Sequence, residues 1–314
     1  MVNARWLLSA AFLLLGCSEV VTGLPCADDD HCRVGEQCRI DVGDSVGVCG
    51  SPVAPPVWAA VAAGASHSCA LDTDGRATCW GRNEYGQASP PDVALQAISA
   101  GAQFTCGLRL DGTPICWGRD LEGRTDAPIR VFEELVLGGG HACGSTGSDL
   151  DCWGRGVEGQ TQAPDRSLTG LDAHGVETCG LTPAGGIECW GLAQEFPDLP
   201  AADAVDVAVG DTFVCWSDGG PVQCTGGTFT EWLTPPAVTL TDLDAGEVYV
   251  CGITDGRVHC FGSTGQWEDE PEPLRAVDAD AVALSVGAGH GCVLFDDGTI
   301  TCFGDNTSGQ SLAP

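Results

Sequence analysis

The stretch CALDTDGRATCWG, Cys69 to Gly81, sets two cysteines ten residues apart around an acidic, glycine-containing turn. The arrangement returns six times, at Cys106/Cys116, Cys143/Cys152, Cys179/Cys189, Cys215/Cys224, Cys251/Cys260 and Cys292/Cys302. First cysteines follow one another at 37, 37, 36, 36, 36 and 41 residues. A fixed period of this length marks a repeat architecture, each repeat being one supersecondary unit.

The spacing inside the pairs takes two values, ten and nine, and both fit a β-hairpin. Counting inward from a pair ten apart leaves a three-residue loop: Thr73-Asp74-Gly75, Leu110-Asp111-Gly112, Pro183-Ala184-Gly185 or Asp296-Asp297-Gly298. Glycine is third in all of them, where a type I turn followed by a left-handed residue requires it. A pair nine apart leaves two residues, Gly147-Ser148, Gly219-Gly220 or Asp255-Gly256, which suit type II′ or I′ turns. The cysteines of each pair therefore oppose one another across adjacent strands. Their Cα atoms should lie roughly 4.5–5.5 Å apart, within reach of a disulfide.

Other positions keep phase with the pairs. Five residues before the first cysteine stands Gly64, Gly101, Gly138, Gly210, Gly246 or Gly287, with His174 the exception. Glycine there implies positive φ or a close backbone approach. Two residues after the second cysteine is a glycine in every repeat, preceded by Trp80, Trp117, Trp153, Trp190, Thr225, Phe261 or Phe303. The tryptophans read as packing between repeats. His67, His141 and His290 share a slot, two residues before the first cysteine, with Phe104, Glu177, Phe213 and Tyr249. A slot that accepts all of these is a packing slot. Short apolar segments such as VWAAVAAG precede each pair and have strand length. The expected fold is all-β: a seven-bladed β-propeller over 57–314 with one intra-hairpin disulfide per blade.

The stretch VAAGASHSCALDTDGRATCWGRNEYGQ, Val61 to Gln87, and the ending FGDNTSGQ at Phe303 to Gln310 resemble the repeat of the regulator of chromosome condensation family. The resemblance extends over Val57 to Pro314 and is strongest in repeats one, two, three and seven. Repeats four to six lose most of the G-Q ending. The short period is similar to the bacterial, secreted branch that includes β-lactamase inhibitor protein II. The resemblance implies a seven-bladed propeller and a binding function. It does not carry guanine-nucleotide exchange to this acidic chain, and no contact residue of the family is transferred.

The amino terminus, MVNARWLLSAAFLLLGC, has Arg5 before an apolar run too short to span a bilayer comfortably. It reads as a signal peptide, residues 1–16, and LLGC resembles a lipoprotein box with Cys17 as the lipidated residue, an outer-membrane or cell-surface lipoprotein being the expectation and a secreted or periplasmic protein the alternative. The 18 cysteines that remain of the 19 are an even number, as expected of disulfides formed outside the cytoplasm. Residues 17–50 resemble the Cys-rich modules of exported myxobacterial proteins. The cysteines at 26, 32, 38 and 49 allow three pairings, of which Cys26–Cys38 with Cys32–Cys49 is the expectation. Residues 51–56 form a proline-rich linker.

The net charge is −31, and the 13 basic residues are all arginine. A surface of this sign repels phosphate backbones, so nucleic acid is not an expected partner. The cysteine spacing fits neither zinc nor a C-x-x-C redox motif. No twelve-residue calcium loop, G-x-S-x-G, H-E-x-x-H or phosphate loop is present. The expectation is a monomeric, non-enzymatic cell-envelope binding protein without cofactor or metal, touching the membrane only through its lipid anchor. Its ligand would be a protein or glycan. The acidic insertion Gln266 to Ala276, with Trp267, Glu268, Asp269 and Glu270, is the first candidate for a contact surface. The alternative is an envelope glycan lyase or hydrolase with a buried carboxylate pair in the propeller channel.

Overall fold

The computed structural model describes residues 56–314, apart from 193–195, 197, 228–232, 264–270 and 276, and before them only the backbone of three short strands. The chain divides into two compact units, Met1–Pro55 and Pro56–Pro314. In the first, Pro25–Cys26, Gln37–Arg39 and Gly47–Gly50 form an antiparallel sheet in the order first, third, second. Its register sets Cys38 opposite Cys49. The sulfur pairing of Cys26, Cys32, Cys38 and Cys49 lies outside the described residues, as do the signal segment, Cys17 and Trp267, Glu268, Asp269 and Glu270.

The second unit is seven three-stranded antiparallel sheets, each in sequence order. Blade 1 comprises Trp58–Ala63, His67–Asp72 and Ala77–Gly81. The first strands of the seven blades are Trp58–Ala63, Leu95–Ala100, Glu134–Leu137, Thr169–His174, Asp206–Val209, Thr241–Ala245 and Ala281–Val286. Each contacts the next, and the last contacts the first, so they form the inner ring of a closed propeller. The middle strands, such as His67–Asp72 and His290–Phe295, are buried on both faces. A neighbouring blade covers each side, so the polar–apolar alternation of a half-exposed strand disappears.

Both hairpin types follow the sequence count. Gly75, Gly112, Gly185 and Gly298 have φ of 79°, 81°, 77° and 78°, the left-handed conformation of the three-residue loop. In the two-residue loops Gly147 and Gly219 take positive φ alone, as in type II′, whereas Asp255 and Gly256 both do, as in type I′. The turn aspartates are spent locally: Asp72 accepts the N–H groups of Asp74 and Arg76, and Asp111 that of Thr113.

The expected disulfides form in all seven blades. They are Cys69–Cys79, Cys106–Cys116, Cys143–Cys152 and Cys179–Cys189, then Cys215–Cys224, Cys251–Cys260 and Cys292–Cys302. Their Cα atoms are 4.0–4.1 Å apart. That corrects the wider separation expected above, and the register explains it. Asp72 and Arg76 close the loop with a backbone hydrogen bond. Counting back from them, Cys69 and Cys79 are the second non-hydrogen-bonded pair, where opposed Cα atoms come nearest. Thr146 and Asp149 close the shorter loop and put Cys143 and Cys152 in the same phase.

The two cysteines of a pair differ in burial, because one is on the middle strand and the other on the outer strand. The first is fully buried in every blade. Of the second, Cys79, Cys116, Cys152, Cys189 and Cys224 are only half-buried, whereas Cys260 and Cys302 are buried.

The glycine before the first cysteine serves close approach, not positive φ. Gly64, Gly101, Gly138, Gly210, Gly246 and Gly287 all keep ordinary φ. A Cβ on Gly101 would stand 2.7 Å from the Gly138 carbonyl oxygen of the next blade and 2.6 Å from the Phe104 ring. Gly246 meets Gly287 and Tyr249 in the same way. These glycines let seven strands converge on one axis.

Candidate functional site

The residues that looked most like chemistry are joints between blades. His67 Nε2 lies 2.8 Å from Thr105 Oγ1, His141 Nε2 2.6 Å from Thr178 Oγ1, and His290 Nε2 2.7 Å from Ser68 Oγ. In each case the hydroxyl belongs to the next blade and sits immediately before its first cysteine. Thr105 Oγ1 donates to the Gln87 carbonyl and Ser68 Oγ to that of Gln310, so Nε2 of His67 and of His290 carries the proton that completes the bond. Their Nδ1 atoms are buried without a partner. Burial lowers the pKa of all three to about 4, His67 being further depressed by His290. The imidazoles are therefore neutral at pH 7. They do not gather into a metal site, and among the described residues no cluster of three or more histidine, cysteine, aspartate or glutamate side chains could hold an ion.

The tryptophans make a second joint. Trp117 Nε1 donates to the Gln87 carbonyl at 2.9 Å, Trp153 to Arg124 at 3.2 Å, Trp190 to Gln160 at 3.1 Å, and Trp80 to Gln310 at 2.8 Å. The acceptor always belongs to the preceding blade's closing loop, and blade 7 precedes blade 1. Repeats five to seven carry Thr225, Phe261 or Phe303 in place of the tryptophan and so lack the indole donor of this joint. The seam between blades 7 and 1 repeats the other seams, with Ala63 N–H donating to Ser285 Oγ as a further bond.

The inner strands carry a third joint, made of carboxylates. Glu134 accepts the N–H of Leu171, Asp172 that of Val209, Asp206 that of Leu243, Asp242 that of Leu284, and Asp244 that of Val286. Each bond runs from one inner strand to the next and satisfies an amide on the strand's free edge. Asp172 and Asp244 also accept Ala173 and Ala245 N–H through their second oxygens. Desolvation pushes Asp172 up to about 7, with Asp206 and Glu134 adding repulsion. Desolvation and then the Asp172 charge hold Asp244 well above the ordinary carboxylate range.

A folded pKa above the unfolded one means that folding favours the protonated acid. For Asp172 that stabilisation is complete below about pH 4 and is lost as pH rises through about 7, at up to about 1.4 kcal/mol per unit. Asp172→Asn is therefore expected to gain on the wild type between pH 5 and pH 8 in thermal melts. A difference in melting temperature that stays constant across that range would show that Asp172 is ionised throughout.

One mouth of the axis opens into a cup of about 150 Å³ to which every blade contributes. Its wall is mostly glycine and alanine. The polar side chains are His174, Asp211 and Glu247. Burial lowers the His174 pKa, against the raising influence of Asp211. The sequence count flagged His174 only as an exception; the structure makes it part of this mouth.

Fold and joints together define a disulfide-stapled, seven-bladed propeller of inter-locking repeats. Residues 58–87 and 281–310, in the first and last blades, match the model of the regulator of chromosome condensation (RCC1) repeat. Among solved structures, the chain is similar to the CRINKLY WD40 ectodomain of the Arabidopsis thaliana receptor kinase ACR4. The TM-score is 0.65 at 22% identity, over 80% of this chain and 96% of that one. The ectodomain of the Physcomitrella patens receptor kinase CR4 gives 0.62 and 22%, over 80% and 74%. Prp20p from Saccharomyces cerevisiae, described with binding to Gsp1p and histones, gives 0.59 and 16%, over 86% and 90%. Identities this low speak for the fold alone. No curated protein matches the sequence.

Proposed function

We infer that this chain is a non-enzymatic, exported binding protein of the cell envelope, held by a lipid on Cys17 and presenting propeller loops to a protein or glycan. The observation that carries the reading is the use made of its reactive-looking groups. Seven cysteine pairs are disulfides, three histidines bond hydroxyls of the next blade, and the axial carboxylates accept backbone amides. The loops between these strands are the usual home of recognition on a rigid scaffold. Seven disulfides fit an oxidising compartment, and among the described residues no helix is long and apolar enough to cross a membrane.

The glycan-enzyme reading has one observation in its favour: Asp172 and Asp244 are desolvated carboxyl groups with raised pKa, the Asp172 charge adding to the rise at Asp244. Against it, all four of their oxygens are engaged by Ala173, Val209, Ala245 and Val286.

The test is to immobilise the disulfide-intact protein, expose it to solubilised envelope from the producing cell, and assay envelope glycans for turnover in parallel. A ligand retained saturably by native but not by reduced, unfolded protein is the expected result, with no turnover. Glycan cleavage that Asp172→Asn abolishes without lowering the melting temperature would replace the binding reading with the enzymatic one.

A further inference from the structure

Blade 4 breaks the repeat rule twice, and the two breaks are physically linked. In six blades a glycine lies beside the side chain three residues later: Gly101 beside Phe104, Gly246 beside Tyr249, Gly287 beside His290. In blade 4 the glycine slot holds His174, which pairs in register with Glu177. A side chain now stands where the others leave space, so the residue at 177 cannot lie inward as His67 or Phe104 does.

The Glu177 carboxylate points instead towards the outer strand. A Cβ on Gly191 would meet Glu177 Oε2 at 3.0 Å, whereas one on Gly118 meets the Phe104 Cα at 2.8 Å and one on Gly81 the His67 Cα at 2.9 Å. The carboxylate has crossed over the glycine of its own hairpin. There it enters a cleft of about 240 Å³ lined by Gly159, Gln162, Trp190, Gly191 and Leu192. Gly159 and Gln162 come from the closing loop of blade 3.

Glu177 is 1% exposed, and its Oε1 is buried with no hydrogen-bond partner among the described residues. The joint that would supply one is missing. Where His67 meets Thr105 and His141 meets Thr178, the corresponding position on the next blade is Val214, a completely buried apolar side chain. The charged neighbour acting on Glu177 is Asp211, of the same sign. A carboxylate that is buried in the wall of a cleft with no donor is costly unless a cation completes it. Elsewhere this protein removes such groups: at the same joint Phe104 packs with Ala142, and Phe213 with Val250.

We propose that the Glu177–Trp190 cleft between blades 3 and 4 is a binding site for an organic cation, an ammonium or guanidinium group. Such a group brings a donor to Oε2, the oxygen that lies against Gly191 of the cleft, and an indole wall favours a partly desolvated cation over a hydrated metal ion. The volume admits the end of a lysine or arginine side chain, or a free small amine. The strongly negative surface, −31 overall, concentrates cations near it. The site does not depend on the envelope-binding reading, since a propeller of any function would carry it.

The experiment is an NMR titration of the uniformly ¹⁵N-labelled, disulfide-intact protein at constant ionic strength and pH 8. The Trp190 indole N–H resonance, identified by its loss in Trp190→Phe, is the reporter. Ethylammonium chloride and Nα-acetyl-lysine amide are expected to shift it saturably, and ethanol, of similar size and neutral, is not. Glu177→Gln keeps the shape and removes the charge, and is expected to weaken both cations at least tenfold. Tighter binding of the lysine derivative assigns the cation to a polypeptide partner, and tighter binding of ethylammonium to a free amine. No saturable shift with either cation, an equal shift with ethanol, or undiminished binding by Glu177→Gln would overturn the proposal. The ethanol comparison needs only the wild type, so the result stands even if the variant folds poorly.

Discussion

Gly287→Ala is expected to destabilise the propeller by about 3 kcal/mol or more, the upper range for forcing atoms into a packed interior. The added Cβ would sit against the Gly64 carbonyl oxygen, well inside any allowed contact, and 3.0 Å from His290 Cε1. The obstacle is backbone from the first blade, which cannot rotate aside like a side chain. Its displacement would reopen the seam where blade 7 meets blade 1. At about 2–4 °C per kcal/mol for a domain of this size, the melting temperature should fall by roughly 6–12 °C. Gly289→Ala, two residues away, is the control, since its Cβ would meet nothing nearer than Asp305 Cβ at 3.6 Å. Equal melting temperatures for the two variants would show that the axis is looser than the ring of glycines indicates.

Loss of the disulfides is expected to have the larger total effect. Each bond closes a loop of nine or ten residues, worth about 2.5–3 kcal/mol on the chain-entropy account. Seven such terms do not add simply, because neighbouring blades stabilise one another. Their sum nevertheless exceeds the net stability of an ordinary domain, about 5–15 kcal/mol. Fully reduced, thiol-blocked protein should therefore be unfolded at 25 °C by circular dichroism. The single-pair variant Cys69→Ala/Cys79→Ala should fold but melt lower. Reductant alone should reach blades 1 to 5 of the native protein through their half-buried second cysteines, since attack on either sulfur breaks the bond. Blades 6 and 7 should be the slowest, since Cys260 and Cys302 are buried as well. A reduced protein that retained the native melting temperature would show that blade packing suffices without sulfur.

Much of this was legible in the sequence because the information is local. Cysteine spacing and turn glycines lie within a dozen residues of each other, and a hairpin's register follows from its loop length. The count that placed Gly75, Gly112, Gly185 and Gly298 third in their loops needed nothing beyond the chain itself. Cysteine spacing likewise pointed to disulfides over zinc. The glycine before each first cysteine was legible only in part. Its presence signalled a constraint, but positive φ and close approach leave the same residue in the sequence, and only the neighbouring blade distinguishes them.

The sequence by itself determined the unit: a stapled hairpin preceded by a strand, seven times over. Tertiary structure alone decided what each unit does to the next. The histidine–hydroxyl, tryptophan–carbonyl and carboxylate–amide joints all connect residues from different repeats, His67 with Thr105, Trp80 with Gln310, Asp172 with Val209. A period in sequence shows that positions correspond, not that they touch, and contact here is offset by one whole repeat. The same offset turned the departures at His174 and Glu177 from irregularities into one feature, a carboxylate displaced towards its own outer strand, with Val214 at the position where three other blades provide a hydroxyl.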